Sequence, residues 1–265
     1  MDAIAQFKEQ AKQAWSTFAA VEMTTGAVAP RLVRFAGIRQ GSRVLDVACG
    51  TGVVGLTAAR LGARVTGIDL TPELVARAKE NAAIMKLDVE FEQGDVEALP
   101  FADASFDVVV SQFGHMFAPR PDVAVKEMLR VLAPAGTIAF STWPIELFVG
   151  KMFALLGKYS PPPPPGMSPP SQWGDPAIVR ERLGGAVRDV CFARDAMLVY
   201  ILSVPHLCLF LEHHIGPLTK LVAALGASDP AKLAALRSEL EELAAPHFEN
   251  NQMRQDYLLT RAIKV

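Results

Sequence analysis

Two alternating patterns of apolar residues run through the chain from residue 44 onward. Short runs rich in β-branched residues predict buried strands, and the longer segments between them, with apolar residues every three or four positions, predict amphipathic helices. Strands separated by helices favour an α/β fold with a parallel sheet covered by helices. We predict seven strands, at residues 44–47, 65–68, 89–91, 108–110, 137–140, 187–192 and 257–263.

The sheet pattern is flanked and interrupted by other segments, and we predict one domain over residues 1–265. Its parts are an N-terminal helical cap (1–40), a core (41–143), a proline-rich insertion (144–186), and C-terminal strands with a helical insertion (187–265). The run Pro161 to Pro165 predicts an extended loop. That loop is either part of a lid over a substrate or an exposed spacer.

Charge and cysteine usage exclude several partners. The chain has 26 Lys and Arg against 28 Asp and Glu, with no long basic run, so we expect no nucleic-acid partner. Its three cysteines lack the spacing of a zinc site or a disulfide framework, which fits a reducing cytoplasm. The most apolar stretch, residues 196–211, is short and contains Pro205, so we predict no membrane span.

The segment VLDVACGTGVVG, residues 44–55, predicts a strand, a glycine turn and a helix N-terminus. Such a turn lets the backbone approach a ligand that carries a negative group. Gly50, Gly52 and Gly55 match the dinucleotide fingerprint G-x-G-x-x-G, and Asp69 stands 19 residues after Gly50. A nicotinamide dinucleotide is therefore one candidate cofactor.

Asp46 favours a different cofactor. It lies near the end of the first predicted strand, at the edge that faces the cleft. A carboxylate there repels a pyrophosphate but attracts the amino group and sulfonium of S-adenosyl-L-methionine. We add Ala48, between Asp46 and the glycine turn, to the predicted cofactor site.

Two more acids follow the next strands. Asp69 is placed to accept hydrogen bonds from both ribose hydroxyls, and Asp95 from an adenine amino group, with the backbone N–H of Val96 donating to the adjacent ring nitrogen. Acids at three successive strand ends are poorly explained by helix capping or solvated turns alone. The pattern predicts S-adenosyl-L-methionine as the cofactor.

Four motifs carry a family resemblance: D-x-A-C-G-T-G, I-D-L-T-P, G-D-V-E-A-L-P-F and S-F-D-V-V-V-S. They resemble the motif series of class I S-adenosylmethionine-dependent methyltransferases, most of all the quinone-biosynthesis-type branch. The resemblance covers residues 29–143 and is weaker at 173–184 and in the final strand. The turn at residues 132–136 departs from the family's usual L-K-P-G-G because Ala135 replaces a glycine.

The resemblance implies a Rossmann-like seven-stranded sheet whose last strand is antiparallel. The residues that it implies on the methionine side of the cofactor are Gly50, Thr51, Gly52 and Ser111. Those that it implies around the ribose and adenine are Asp69, Leu70, Asp95 and Val96.

The methyl acceptor is predicted only by class. His115 follows the fourth strand, and we expect it to point into the cleft, where it acts as a general base or merely shapes the pocket. We predict no metal. Apolar residues in both insertions predict a small to medium, largely apolar acceptor, namely Leu147, Phe148, Met152, Phe153, Leu156, Met197, Leu198, Tyr200, Ile201, Leu207 and Phe210. The same faces also suit mutual packing or a homodimer interface.

Methyl transfer from S-adenosyl-L-methionine to such a small-molecule acceptor is the function that the sequence favours. Two alternatives stay open at this stage. One is an NAD(P)-dependent oxidoreductase, because of the three glycines. The other is a noncatalytic module that binds an adenosine cofactor.

Overall fold

The centre of the molecule is one sheet, which a computed structural model of residues 3–265 shows in the order β3-β2-β1-β4-β5-β8-β6. Its strands are β1 (Arg43–Val47), β2 (Arg64–Asp69), β3 (Glu90–Gln93), β4 (Phe106–Gln112), β5 (Leu132–Thr142), β6 (Val187–Tyr200), β7 (Phe248–Glu249) and β8 (Gln252–Lys264). Strands β1 to β5 run parallel, and β8 runs antiparallel between β5 and β6. The predicted sheet with an antiparallel last strand is confirmed.

The sheet differs from the prediction at its C-terminal edge. A two-residue strand, β7, forms a hairpin with β8, so the sheet has eight strands. Strand β6 continues to Tyr200 because residues 196–200 alternate: Met197 and Val199 are buried, whereas Leu198 and Tyr200 are exposed. Their apolar character predicts that they belong to the second insertion, and that prediction is wrong. Their period of two, which is that of a half-buried strand, is the signal that was missed.

Eleven α-helices accompany the sheet in the described residues. They are α1 (Ala3–Trp15), α2 (Glu22–Thr25), α3 (Ala29–Phe35), α4 (Val53–Ala59), α5 (Pro72–Met85), α6 (Pro121–Val131), α7 (Phe148–Tyr159), α8 (Pro176–Leu183), α9 (Val204–His214), α10 (Gly216–Ser228) and α11 (Pro230–Ala244). The first two residues of the predicted N-terminal cap lie outside the described part of the chain. No helix within residues 3–265 combines the length and the apolar character that a membrane crossing needs.

The starts of two helices show how local sequence sets their boundaries. Asp175 caps α8, since its side chain accepts a hydrogen bond of 2.8 Å from the backbone N–H of Ala177. Thr71 occupies the equivalent position before α5, but its side chain makes no capping bond there. The carboxylate of Asp69 accepts the backbone N–H of Thr71 instead, at 2.8 Å. An acid at the end of β2 thereby fixes the start of α5.

The core lies along the central strands, where Val44, Val109 and Ile138 are fully buried. Strands β6 and β8 pair far beyond β5, from Val187 opposite Lys264 to Tyr200 opposite Gln252. Strand β5 pairs with β8 only as far as Thr142 opposite Leu258. The two long strands therefore project past the C-terminal end of β5.

Gly52 gives a test of this packing. Its φ is +83°, and a Cβ built there would lie 2.6 Å from Cζ of Phe91. We expect Gly52→Ala to lower the free energy of unfolding by about 2 to 3 kcal/mol, because it adds a clash to a strained backbone. Urea denaturation measures this change.

Gly157 in α7 is the matched control. A Cβ there meets no described atom within 4 Å, and the backbone is helical. Gly157→Ala should be neutral or stabilise the chain by up to about 1 kcal/mol. Equal effects of the two substitutions would contradict the packing assigned to Gly52.

Candidate active site

A cavity of about 620 Å³ lies over the C-terminal ends of β1, β2, β3 and β4. The loops that follow these four strands line one part of it, and residues of α1, α7, α9 and α10 line much of the rest. The sequence-predicted site residues on its wall are Asp46, Ala48, Gly50, Thr51, Asp69, Leu70, Asp95 and Val96. The fold thus brings most of the predicted cofactor site to one place.

Asp46 is a buried acid with one free oxygen. Its Oδ2 accepts a hydrogen bond of 2.8 Å from the N–H of Gly55, whereas Oδ1 has no hydrogen-bond partner within the described chain. Burial, opposed by the hydrogen bond from Gly55 and assisted by the nearby charge of Asp69, raises the pKa of Asp46 from 3.8 to about 7. A buried acceptor without a partner on a cavity wall suits a cationic group of a ligand.

Asp69 joins two loops of the site. Its Oδ2 accepts from the N–H of Gly50 and its Oδ1 from that of Thr71, both at 2.8 Å. Burial raises the pKa of Asp69, and these backbone hydrogen bonds oppose the rise. Each carboxylate oxygen keeps a second lone pair, so the side chain can still accept from a diol in the cavity.

Asp95 has a partner that the sequence did not suggest. Its Oδ1 accepts from the backbone N–H of Glu97 at 2.9 Å, and its Oδ2 lies 2.5 Å from Nζ of Lys8 in α1. Lys8 and Asp95 both stand on the cavity wall. The N-terminal helix therefore reaches the third strand end directly.

The glycine turn has two different functions. Gly50 has a φ of +55°, and the space where its Cβ would be contains no described atom within 4 Å. That open space beside the cavity fits close approach of a ligand. Gly52, by contrast, packs on Phe91 and lies off the cavity wall as the described residues define it. Packing therefore requires glycine at position 52, and the contact of Gly52 with the cofactor stays a prediction.

Ser111 also lies away from this cavity in the part of the chain that the structure describes. It is fully buried, its hydroxyl donates to the carbonyl of Val47 at 2.7 Å, and it accepts from the N–H of His115 at 3.0 Å. The implied position of Ser111 on the methionine side of the cofactor stays a prediction. Ser111 links β1 to the turn after β4.

His115 is buried behind the cleft, so the expectation that it points into the cleft is wrong. Its side chain packs between Phe140 and Trp173, with ring centroids 4.5 and 4.6 Å away. Neither ring nitrogen has a hydrogen-bond partner among residues 3–265. Burial, with a smaller contribution from the charge of Arg182, lowers the pKa of His115 to about 3. A proton acceptor so weak and so enclosed is unsuited to general-base catalysis.

The far end of the cavity is mostly apolar. Predicted acceptor-site residues on its wall are Phe148, Met152, Phe153, Met197, Leu207 and Phe210, and Pro161 to Pro164 line it as well. Leu198 and Tyr200 face solvent, with exposures of 39% and 72%, and Leu156 belongs to the core. The proline run thus borders the cavity, and its function as a lid stays a prediction.

Sequence reasoning missed several residues of the wall. In α1 these include Phe7, Lys8 and Trp15, and at the end of β4 Gln112, whose Nε2 donates to the carbonyl of Thr25 at 2.8 Å. The apolar period of α1 was a usable signal, but nothing in the sequence joins Lys8 to Asp95. Among the described residues, no three His, Cys, Asp or Glu side chains stand close enough to hold a metal ion.

Comparison with known proteins shows which family this chain resembles. The family model described as a methyltransferase domain matches residues 45–140. An uncharacterized protein of Mycobacterium tuberculosis is 39% identical over 245 residues, which are 92% of this chain and 89% of that protein. The demethylmenaquinone methyltransferase of Staphylococcus aureus is 38% identical over 138 residues, 50% of this chain and 56% of that protein.

A solved structure supports the same conclusion at the level of the fold. Phosphoethanolamine N-methyltransferase 2 of Haemonchus contortus, in complex with S-adenosyl-L-methionine, matches with a TM-score of 0.57 and 16% identity, over 90% of this chain and 52% of that one. The sheet order, the acids at the strand ends and these relatives agree. This chain belongs to the class I S-adenosylmethionine-dependent methyltransferases, and S-adenosyl-L-methionine is its cofactor.

Proposed function

We propose that the chain transfers a methyl group from S-adenosyl-L-methionine to a small or medium-sized, largely apolar molecule. One observation supports this most directly: a single cavity carries acids at strand ends on one side and an apolar wall on the other. The acids suit a cationic cofactor and the apolar wall suits an acceptor without charge.

For the cofactor we propose the following contacts. The free Oδ1 of Asp46 takes the ammonium group of the methionine portion, beside Ala48 and the open approach at Gly50 and Thr51. This pairing relieves the cost of a buried carboxylate, because a cation replaces the missing partner. A pyrophosphate at the same place would meet two buried acids, Asp46 and Asp69, which argues against a dinucleotide.

The adenosine portion is assigned to the next two strand ends. We propose that Asp69 accepts from the ribose hydroxyls and Asp95 from the adenine amino group. Leu70 and Val96 then lie against the base. Each contact uses a wall residue whose acceptor oxygens keep unused lone pairs.

The cofactor supplies an activated methyl group: a nucleophilic atom of the acceptor bonds to the methyl carbon as the carbon–sulfur bond breaks, and the electron pair stays on sulfur. The chain's task is to align the nucleophile and exclude water. We call the apolar part of the cavity wall the acceptor end. It includes Phe148 and Met152 of α7, Phe210 of α9 and the proline run. With His115 buried elsewhere, we assign no general base in this chain.

Asp46→Asn separates cofactor binding from folding. The raised pKa of Asp46 means that the folded chain holds this proton more tightly than the unfolded chain does. Its contribution to stability is complete below the unfolded pKa and is lost as the pH rises through about 7. We expect Asp46→Asn to flatten that decline in the cofactor-free chain and to weaken cofactor binding.

Denaturation from about pH 5 to about pH 8 and calorimetry with S-adenosyl-L-methionine measure the two effects. The Asn side chain can still accept the N–H of Gly55, which makes this variant its own folding control. Equal losses of stability and affinity would contradict the assignment to the ammonium group.

Asp69→Ala tests the ribose contact. It removes two charge-assisted hydrogen bonds, so we expect cofactor binding to weaken by about 2 to 4 kcal/mol in calorimetry. Asp69→Asn keeps an acceptor and should lose less. Because Asp69 also holds Gly50 and Thr71, the melting temperature is recorded for both variants. Unchanged affinity in folded Asp69→Ala would remove Asp69 from the site.

Two neighbouring residues of α9 test the apolar acceptor. Phe210 lies on the cavity wall, whereas Leu209 is 52% exposed. The substrates are naphthols and their sulfonated counterparts, and the product S-adenosylhomocysteine is measured. We expect turnover of unsulfonated naphthols, lost in Phe210→Asp but retained in Leu209→Asp, because a charge in the wall opposes apolar binding.

Cofactor binding by both variants serves as the check on folding. Preference for the sulfonated compounds, or equal activity of the two variants, would contradict an apolar acceptor site.

A further inference from the structure

Helix α1 covers the cavity along much of its length. Phe7 and Lys8 stand on the wall in the first half of the helix, Ala11 in the second half, and Trp15 at its last residue. Yet α1 has no fully buried residue within its described span, Ala3–Trp15. The helix is therefore a cover on the cavity and contributes little to the core.

At the cofactor end, α1 is held by charge. Nζ of Lys8 lies 2.5 Å from both Oδ2 of Asp95 and Oε2 of Glu97. The Glu97 side chain has no solvent exposure and also accepts from the backbone N–H and Nε of Arg120, at 2.6 and 2.8 Å. Only 13% of the Lys8 side chain is exposed. Two carboxylates and two cations thus meet at this point, with Lys8 and Glu97 largely buried and Asp95 and Arg120 partly exposed.

At the acceptor end, α1 is held by packing. The rings of Trp15 and Phe117 lie 4.8 Å apart. Gly216, the first residue of α10, approaches Ala14 so closely that a Cβ would lie 2.4 Å from its carbonyl oxygen. One helix therefore contacts the proposed adenine acceptor with Lys8 and the wall of the acceptor end with Trp15.

We propose that Lys8 is a positioning residue that holds α1 closed over the bound cofactor. This inference rests on the placement of adenine at Asp95 proposed above. Oδ2 of Asp95 has two lone pairs, so it can accept from an adenine amino group while Lys8 stays bound to Oδ2 and Glu97. Cofactor and Lys8 then share one carboxylate, and closure of α1 slows cofactor release.

The opposite arrangement is competition, in which Lys8 occupies Asp95 and must leave before adenine binds. The two arrangements predict opposite signs. Loss of Lys8 weakens cofactor binding if Lys8 holds α1 closed, an arrangement that we call the latch. It strengthens cofactor binding if Lys8 competes with adenine for Asp95. Glu97 favours the latch, because it keeps the ammonium group in place whether or not adenine is present.

The test uses the full chain and S-adenosylhomocysteine, with its dissociation rate measured by surface plasmon resonance. We expect Lys8→Met to raise that rate about tenfold with a smaller change in association, since removal of one partner of a buried charge pair acts mainly on dissociation. Lys8→Arg keeps a cation and should restore slow release. Lys12→Met is the matched control, because Lys12 pairs with Glu9 of the same helix.

Three outcomes would overturn the proposal. An unchanged dissociation rate in Lys8→Met, even with a lower melting temperature, would leave Lys8 a structural role only. Tighter binding by Lys8→Met would establish competition. Asp95→Ala, which leaves no side-chain acceptor, is measured in parallel: unchanged affinity there would remove adenine from Asp95 and overturn the proposal, while methyl transfer itself would remain to be judged by the naphthol assay.

Discussion

The hydrogen bonds from the backbone N–H groups of Gly50 and Thr71 to the carboxylate of Asp69 are the interaction on which the site depends. They tie the loop after β1 to the loop after β2, at adjacent strand ends of the sheet. Asp46 repeats the arrangement one strand away by accepting the N–H of Gly55 in α4. Buried acids thereby shape the loops before any ligand contacts them, and their remaining lone pairs are left for that ligand.

Much of the fold and most of the predicted cofactor site could be predicted from the sequence, because their signals are local. Each of these signals, whether a strand period, the glycine turn or an acid at a strand end, occupies only a few consecutive residues of the sequence. In a parallel sheet, the C-terminal ends of neighbouring strands meet at one edge, so Asp46, Asp69 and Asp95 were expected together and are found on one cavity wall.

What the sequence did not predict depends on packing between distant segments. His115 follows β4 as expected, but Trp173 covers it and decides that it faces away from the cleft. Gly52 is required by Phe91, which arrives from β3, and the ion pair of Lys8 with Asp95 joins α1 to the third strand end. Composition and residue spacing do not predict contacts between residues that are distant in the sequence, because those contacts depend on the whole fold.

The pairing of β6 with β8 beyond the end of β5 has a consequence for selectivity. Met197, Val199 and Gln255 stand on this extension and on the cavity wall, so part of the acceptor end is built on a hydrogen-bonded ladder. Groups held in this way lose little conformational entropy when a ligand binds, because the ladder has already ordered them. The acceptor proposed above would therefore meet a preorganised surface at these strands, whereas α1 and the proline run stand outside that ladder.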